Sequence, residues 1–305
     1  MMDIVSLGEP LVEFNHKGGN DWIHGYGGDT SNVAIAASRQ GAKAGMIAHI
    51  GDDEFGNGLM ALWAQEGVSS RTVRQVPGAP TGIYFVHHGE SGHTFSYRRA
   101  GSAASLMRPE DIPAEAIASA KFLHVSGISL AISSSAADSC FAAMRIARDS
   151  GVKVSFDTNL RTRLWPVDRA RAVIHAAVAL SDILLPGMDD ARLLTGFEDP
   201  RRIVETYRAM GPEIVALTLG EDGAVVAEGD TVHELPPRPA ELVDASGAGD
   251  CFDGAFLARL AAGDTVLDAA RYATVAASLS VEGYGAISPI PHAERVKAAL
   301  AEAAQ

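Results

Sequence analysis

Residues 244–256 read Asp-Ala-Ser-Gly-Ala-Gly-Asp-Cys-Phe-Asp-Gly-Ala-Phe, a glycine-rich stretch set directly before a carboxylate, Asp250. Gly247 and Gly249 carry no Cβ, so the chain can turn tightly there and bring amide N–H groups close to an anion. Phe252, Ala255, Phe256 and Leu260 recur at spacings of three and four, the period of an amphipathic helix beginning near Ala248. The open amides and positive dipole end of such a helix stabilise negative charge, including charge that builds on a phosphoryl group in transfer. A carboxylate at 250 could then accept the proton of an alcohol as its oxygen bonds to phosphorus. An ordinary role fits the same residue, capping the helix or complementing its dipole, and spacing alone leaves both open.

Such a loop needs elements to hold it. Short apolar or β-branched runs at residues 4–7, 46–50, 122–125, 152–156, 183–185, 214–219 and 224–227 read as mostly buried strands. Helical periods fall between many of them, at residues 31–39, 55–65, 134–148 and 169–180. Gly41, Gly67 and Gly151 stand where three of these helices should end in a left-handed cap. Repeated β-then-α order predicts a mainly parallel sheet covered by helices on both faces, with ligands bound beyond the carboxyl ends of the strands. The C-terminal third reads as helical. Residues 11–28 and 81–101 break the pattern: they are rich in Gly, His and aromatic residues and partly alternate. They read as hairpins that pair into a small sheet over the crevice, a lid, or else extend the main sheet as edge strands.

With 305 residues, 47% hydrophobic and 21% charged, the chain is long enough for one large core. No run approaches the roughly 20 apolar residues that span a bilayer, and the opening residues lack the basic and apolar regions of a leader, so a cytoplasmic location is expected. A net charge of −13 argues against nucleic acid and anionic membranes as partners, and an anionic ligand must meet a local basic cluster. Cys140 and Cys251 lie far apart, which suggests neither a disulfide framework nor a zinc site. Cys251 sits where a helix start can lower a thiol pKa, but a small packing residue is the expected role.

Three stretches together carry a family resemblance. Asp244-Ala-Ser-Gly-Ala-Gly-Asp250 resembles the C-terminal signature of the ribokinase-like (PfkB) carbohydrate kinases. Gly27-Gly28-Asp29-Thr30-Ser31-Asn32-Val33-Ala34 and Gly51-Asp52-Asp53-Glu54-Phe55-Gly56 resemble the N-terminal one. The resemblance covers nearly the whole chain. It implies an α/β class protein with a three-layer α/β/α ribokinase-like fold, a mainly parallel central sheet and a small β-sheet lid, residues 1–305 forming one kinase domain. It also implies Asp250 as the base that activates a sugar hydroxyl, with the amides of Gly247, Ala248 and Gly249 as anion hole.

Within the family the similarity is to the 2-keto-3-deoxygluconate kinase branch, on residues 97–104, 122–128 and 157–165. That implies substrate contacts at Gly28, Asn32, Tyr84, Tyr97, Arg99, Asn159, Arg161 and Asp250. A guanidinium fork recognises a carboxylate well, and Arg98, Arg99, Arg161 and Arg163 supply candidates from two segments of an acidic chain. Either Arg98 or Arg99 can take the place after Tyr97; the family pattern, with Ala-Gly-Ser-Ala following its arginine, selects Arg99. On the nucleotide side the resemblance implies ATP contacts at Thr218, Gly220, Gly223, Gly247, Gly249, Thr274 and Ala277. Gly187 and Asp190 depart from the Asn and Glu of the family pattern, so Asp190 would orient Mg2+ only through water. Whether K+ assists beside Asp244 stays open.

The expected reaction is ATP-dependent phosphorylation of the 6-hydroxyl of 2-keto-3-deoxygluconate. A fructokinase or ribokinase acting on a neutral sugar is the alternative, and a noncatalytic sugar-binding sensor is the alternative of another class. A dinucleotide oxidoreductase is disfavoured, since no strand leads into Gly-x-Gly-x-x-Gly with an acid about 20 residues on. Open lid edges favour pairing between subunits, which makes a homodimer an expectation.

Overall fold

In a computed structural model, which describes residues 1–89 and 92–303, the chain starts with β1 (Met2–Leu7), two strands β2 (Leu11–Gly18) and β3 (Asp21–Gly27), and α1 (Asp29–Arg39). Next come β4 (Ala44–Gly51), α2 (Glu54–Gln65), β5 (Ser69–Val76) and a second strand pair, β6 (Gly82–Gly89) and β7 (Gly92–Arg98). The middle holds α3 (Ala114–Ala118), β8 (Ala120–Ser126), α4 (Gly127–Ala131), α5 (Ser134–Asp149), β9 (Lys153–Asp157) and α6 (Val167–Val178). Then follow β10 (Ile183–Leu185), α7 (Met188–Thr195), α8 (Pro200–Arg208), β11 (Ile214–Thr218), β12 (Ala224–Glu228) and β13 (Thr231–Leu235). Helices α9 (Ala248–Ala262), α10 (Val266–Ser280) and α11 (Ala293–Ala303) close the chain. None of the described helices is long and apolar enough to cross a membrane.

The main sheet has nine strands in the order β13-β12-β11-β10-β9-β8-β1-β4-β5, parallel from β11 to β5 and antiparallel only at β12 and β13. Successive side chains leave a strand on opposite faces, and the two faces build two cores. Ile4, Met46, Ile183 and Leu185 pack with Val33, Phe256 and Leu279 of α1, α9 and α10. Val5, Ile47 and Leu184 pack with Met144, Ile174 and Tyr207 of α5, α6 and α8. Burial on both sides is why the strand sequences read as continuous apolar runs, and the result is the expected three layers. Gly41, Gly67 and Gly151 have φ of +90°, +70° and +73°, the left-handed caps that the sequence predicts. Cys140 and Cys251 are buried, and burial pushes both thiols up to about 12, leaving packing as their role.

Hairpins β2/β3 and β6/β7 pair through β2 and β6, in parallel, as a separate four-stranded sheet ordered β3-β2-β6-β7. The lid expectation therefore holds and the edge-strand alternative does not; residues 90–91 of the segment 81–101 lie outside the described residues. Asp53 anchors the root of the lid. It caps α2 by accepting from the Gly56 amide at 2.7 Å, and it also accepts from the Thr81 amide at 2.8 Å and the Thr81 hydroxyl at 2.7 Å. A Cβ at Gly56 would fall 2.2 Å from the Gly51 carbonyl oxygen, so the glycines of the Gly51-to-Gly56 stretch serve this close packing.

Candidate active site

A crevice of about 910 Å³ lies between the lid and the carboxyl ends of the parallel strands, a volume suited to small-molecule ligands. Its floor includes Asp157 at the end of β9, Gly187 just past β10 and Thr218 at the end of β11. Leu11, Glu13, Tyr84 and Tyr97 reach into it from the lid, and Gly247, Ala248, Gly249 and Asp250 from the start of α9.

Gly247 is the N-cap of α9, left-handed at φ 74°, and makes no side-chain cap. Asp250 stands in the first turn, but its carboxylate accepts from Asn32 Nδ2 of α1 at 2.7 Å, so the capping role that the sequence left open is not the one it plays. Burial, with Asp29 close by, pushes its carboxyl up to about 7, against the opposing pull of Asn32 and Arg161. A base poised near neutrality combines availability with proton affinity. Of the three amides expected as an anion hole, Ala248 closes a turn on the Ala245 carbonyl at 3.2 Å, while Gly247 and Gly249 have no protein acceptor among the described residues. A Cβ added at Gly249 would meet nothing within 4 Å, so the backbone there is open to an approaching phosphate.

Glu9, Glu13, Asp29, Asp157 and Asp253 also line the crevice, five carboxylates to which the sequence reading gave no role. Asp29 accepts from the Thr30 amide at 2.8 Å, Asn159 Nδ2 at 2.9 Å and the Ser126 hydroxyl. Burial pushes Asp157 well above the usual carboxylate range, reinforced by Asp250 and Asp29; burial does the same to Asp253, reinforced by Asp157 and Asp250. Like charges this close do not all ionise. Asp253 follows Asp250 by three residues, one helical turn, which is the signal that places them on one face.

Seven of the eight residues expected to contact the sugar come together in the crevice. Gly28, Tyr84, Tyr97, Arg99, Asn159, Arg161 and Asp250 all line the crevice. Asn32 does not; it sits behind Asp250, almost fully buried, and orients it. Asn159 lines the wall while spending its side-chain N–H on Asp29. Gly28 has φ +104°, and a Cβ there would fall 2.5 Å from the Glu9 carbonyl oxygen, so the site leaves no room for another residue. Tyr84 donates to Glu13 and stacks on Tyr97 at 5.9 Å between ring centroids. Arg99 enters the crevice, whereas Arg98 is exposed outside it, bonded to its neighbour Tyr97's carbonyl. Arg163 donates to the Phe95 carbonyl of β7 at 2.7 Å, tying lid to body.

On the opposite side Thr218, Gly187, Asp190 and Ala286 line the wall. Gly220 and Gly223, in the turn between β11 and β12, and Thr274 and Ala277 on α10 do not line it. Gly223 has a packing reason to be glycine, since a Cβ would lie 2.1 Å from the Leu235 carbonyl oxygen. Asp190 accepts from the Leu160 amide at 2.7 Å. Asp244 accepts from the amides of Ser246 at 2.9 Å and Gly285 at 3.0 Å, fastening the loop before α9. Among the described residues no three His, Cys, Asp or Glu are grouped to hold a metal ion.

Residues 1–293 match the model of the pfkB family carbohydrate kinases. A 2-dehydro-3-deoxygluconokinase of Thermoproteus tenax is 34% identical over 302 residues, covering 95% of this chain and 92% of its own. Among solved structures, a PfkB protein from Polaromonas sp. JS666 superposes with a TM-score of 0.90 at 29% identity, over 98% of this chain and 100% of that one. The fructokinase of Vibrio cholerae O395, in a form with fructose, ADP and calcium bound, gives 0.87 at 28% identity, over 97% and 98%. A signature loop that opens α9, a lidded crevice at the carboxyl ends of a parallel sheet and a match along nearly its whole length place this chain in the pfkB family of carbohydrate kinases.

Proposed function

We propose that this sugar kinase transfers the γ-phosphoryl group of ATP to the 6-hydroxyl of 2-keto-3-deoxygluconate, with Asp250 as base. The observation that carries the reading is Asp250 itself, half-buried at the start of α9, raised to about 7 and sharing one crevice with Arg161. Asp250 takes the hydroxyl proton as the sugar oxygen bonds to the γ-phosphorus and the bond from that phosphorus to the ADP oxygen breaks. The amides of Gly247 and Gly249, at the positive end of the helix, receive the charge on the transferring group. Among the described residues Arg161 donates only through Nη1, to its neighbour Leu160's carbonyl, so its other nitrogens are available to hold the far carboxylate and set the hydroxyl in line.

Magnesium bound to the ATP phosphates would neutralise part of their charge, and Asp190, whose carboxylate already accepts from the Leu160 amide, would meet it through water. Thr218 and Gly187 would border the nucleotide. The relative from T. tenax, named for the same sugar acid, supports the substrate class. A neutral sugar is the second reading, favoured by the ion pair that Arg99 makes with Glu9 inside the protein and by the fructose-bound neighbour.

An ATP-coupled screen of ketodeoxygluconate, ketodeoxygalactonate, gluconate, fructose and ribose tests the choice. The sugar acids should give the highest kcat/KM, and Arg161→Ala should lower it for acids more than for neutral sugars, by about tenfold or more. A strong preference for fructose or ribose, or an equal loss on both classes, would overturn the substrate assignment.

A further inference from the structure

Glu9 lies two residues past β1, with its side chain 1% exposed. One of its oxygens, Oε2, accepts from Arg99 Nε at 2.7 Å and also from Arg99 Nη2. The other, Oε1, accepts from the Ser102 hydroxyl at 2.7 Å. Space for this arrangement is reserved by Gly82, where a Cβ would fall 2.9 Å from Glu9 Oε1 and 2.6 Å from the Leu11 side chain. Arg99 also sets its guanidinium 5.3 Å from the centroid of the Tyr97 ring. Every contact restricts the same fork, and Nη1 is the one guanidinium nitrogen of Arg99 without a protein partner among the described residues.

We infer that Glu9 is a positioning residue for sugar recognition: it fixes the Nε/Nη2 edge of Arg99, so that only the end of the guanidinium, Nη1 and the second N–H of Nη2, is presented to an uncharged sugar oxygen, leaving the carboxylate to Arg161. The inference rests on the proposed sugar kinase activity. A guanidinium already paired with a carboxylate offers little net charge to a second one, and with Nε and Nη2 engaged it cannot grip a carboxylate through that edge. A ketone or hydroxyl oxygen needs only one donor. Arg161 lies near the charges of Asp157, Asp190 and Asp250, but its Nε and Nη2 donate no hydrogen bond among the described residues and keep the geometry for two parallel bonds.

A double-mutant cycle on the sugar KM tests this. Glu9→Gln and Arg99→Met should each raise the sugar KM by about tenfold or more, leave the ATP KM within about twofold, and in combination do no more than Arg99→Met alone. A sugar KM within twofold of the parent's in Glu9→Gln, or effects that multiply in the double variant, would overturn the role. Should Glu9→Gln fail to fold, Ser102→Ala, which frees one carboxylate oxygen and keeps the charge, carries the test: a KM raised by about threefold is expected, and no change overturns the inference. The cycle is run on whichever sugar the parent enzyme prefers. A preference for neutral sugars therefore removes the sugar-acid reading while the coupling between Glu9 and Arg99 stands or falls by itself.

Discussion

Asp250 shows how position within a fold decides what a carboxyl group can do. In the first turn of a helix an aspartate ordinarily satisfies its own backbone; here Asn32 takes its carboxylate instead, and burial raises it to about 7. Two pH effects of opposite sense follow. The proposed mechanism needs the ionised form, so kcat/KM should fall about tenfold per pH unit once the pH drops well below 7, and a flat profile down to pH 5 would contradict the raised value. Stability runs the other way. The folded state keeps this proton up to about 7 while the unfolded chain releases it near 3.8, so the contribution is complete below 3.8 and lost as pH rises to about 7. Asp250→Asn, neutral throughout, should melt above the parent at pH 8 and lose most of that margin towards pH 5; a margin independent of pH would contradict this. Asp250 was legible in the sequence because its loop, helix period and charge are contiguous. Asp157 and Glu9 were not, because their partners Asp253 and Arg99 lie roughly 90 residues or more away in the chain.

At the scale of elements, the seven runs read as strands all form strands of the main sheet, since each is buried on two faces and spells it in apolar residues. β5 and β13 escaped for the converse reason. They end the sheet, and the half-exposed Ser-Ser-Arg-Thr-Val-Arg-Gln-Val of β5 carries no apolar run. The Gly51-to-Gly56 stretch was legible only as a family signature, whereas its physical work is to join α2 to the lid through Asp53 and Thr81. Asp53→Ala removes a cap and two bonds to the lid root, so it should cost about 2 kcal/mol in denaturant unfolding. It should also raise the sugar KM more than the ATP KM, as the lid loses its anchor. A loss below about 0.5 kcal/mol would show that the capping and lid bonds are dispensable.

Across the whole molecule, the proposed reaction is divided between two bodies of structure. In the proposed reaction the sheet and α9 supply the base and the phosphate cradle, and the lid brings Tyr84, Tyr97 and Arg99 to the same crevice. Arg163 on Phe95 and Lys17, 5.0 Å above the Tyr284 ring, bridge lid and body on two sides. If the two bodies are separable in this way, removing the base must stop the chemistry and spare the binding. The most direct measurement is therefore kcat for Asp250→Asn, taken beside a calorimetric titration of the sugar acid into the same variant. The account predicts a kcat lower by about three orders of magnitude with a Kd for the sugar within a few fold of the parent's. A folded variant that retains kcat within tenfold of the parent's would contradict it.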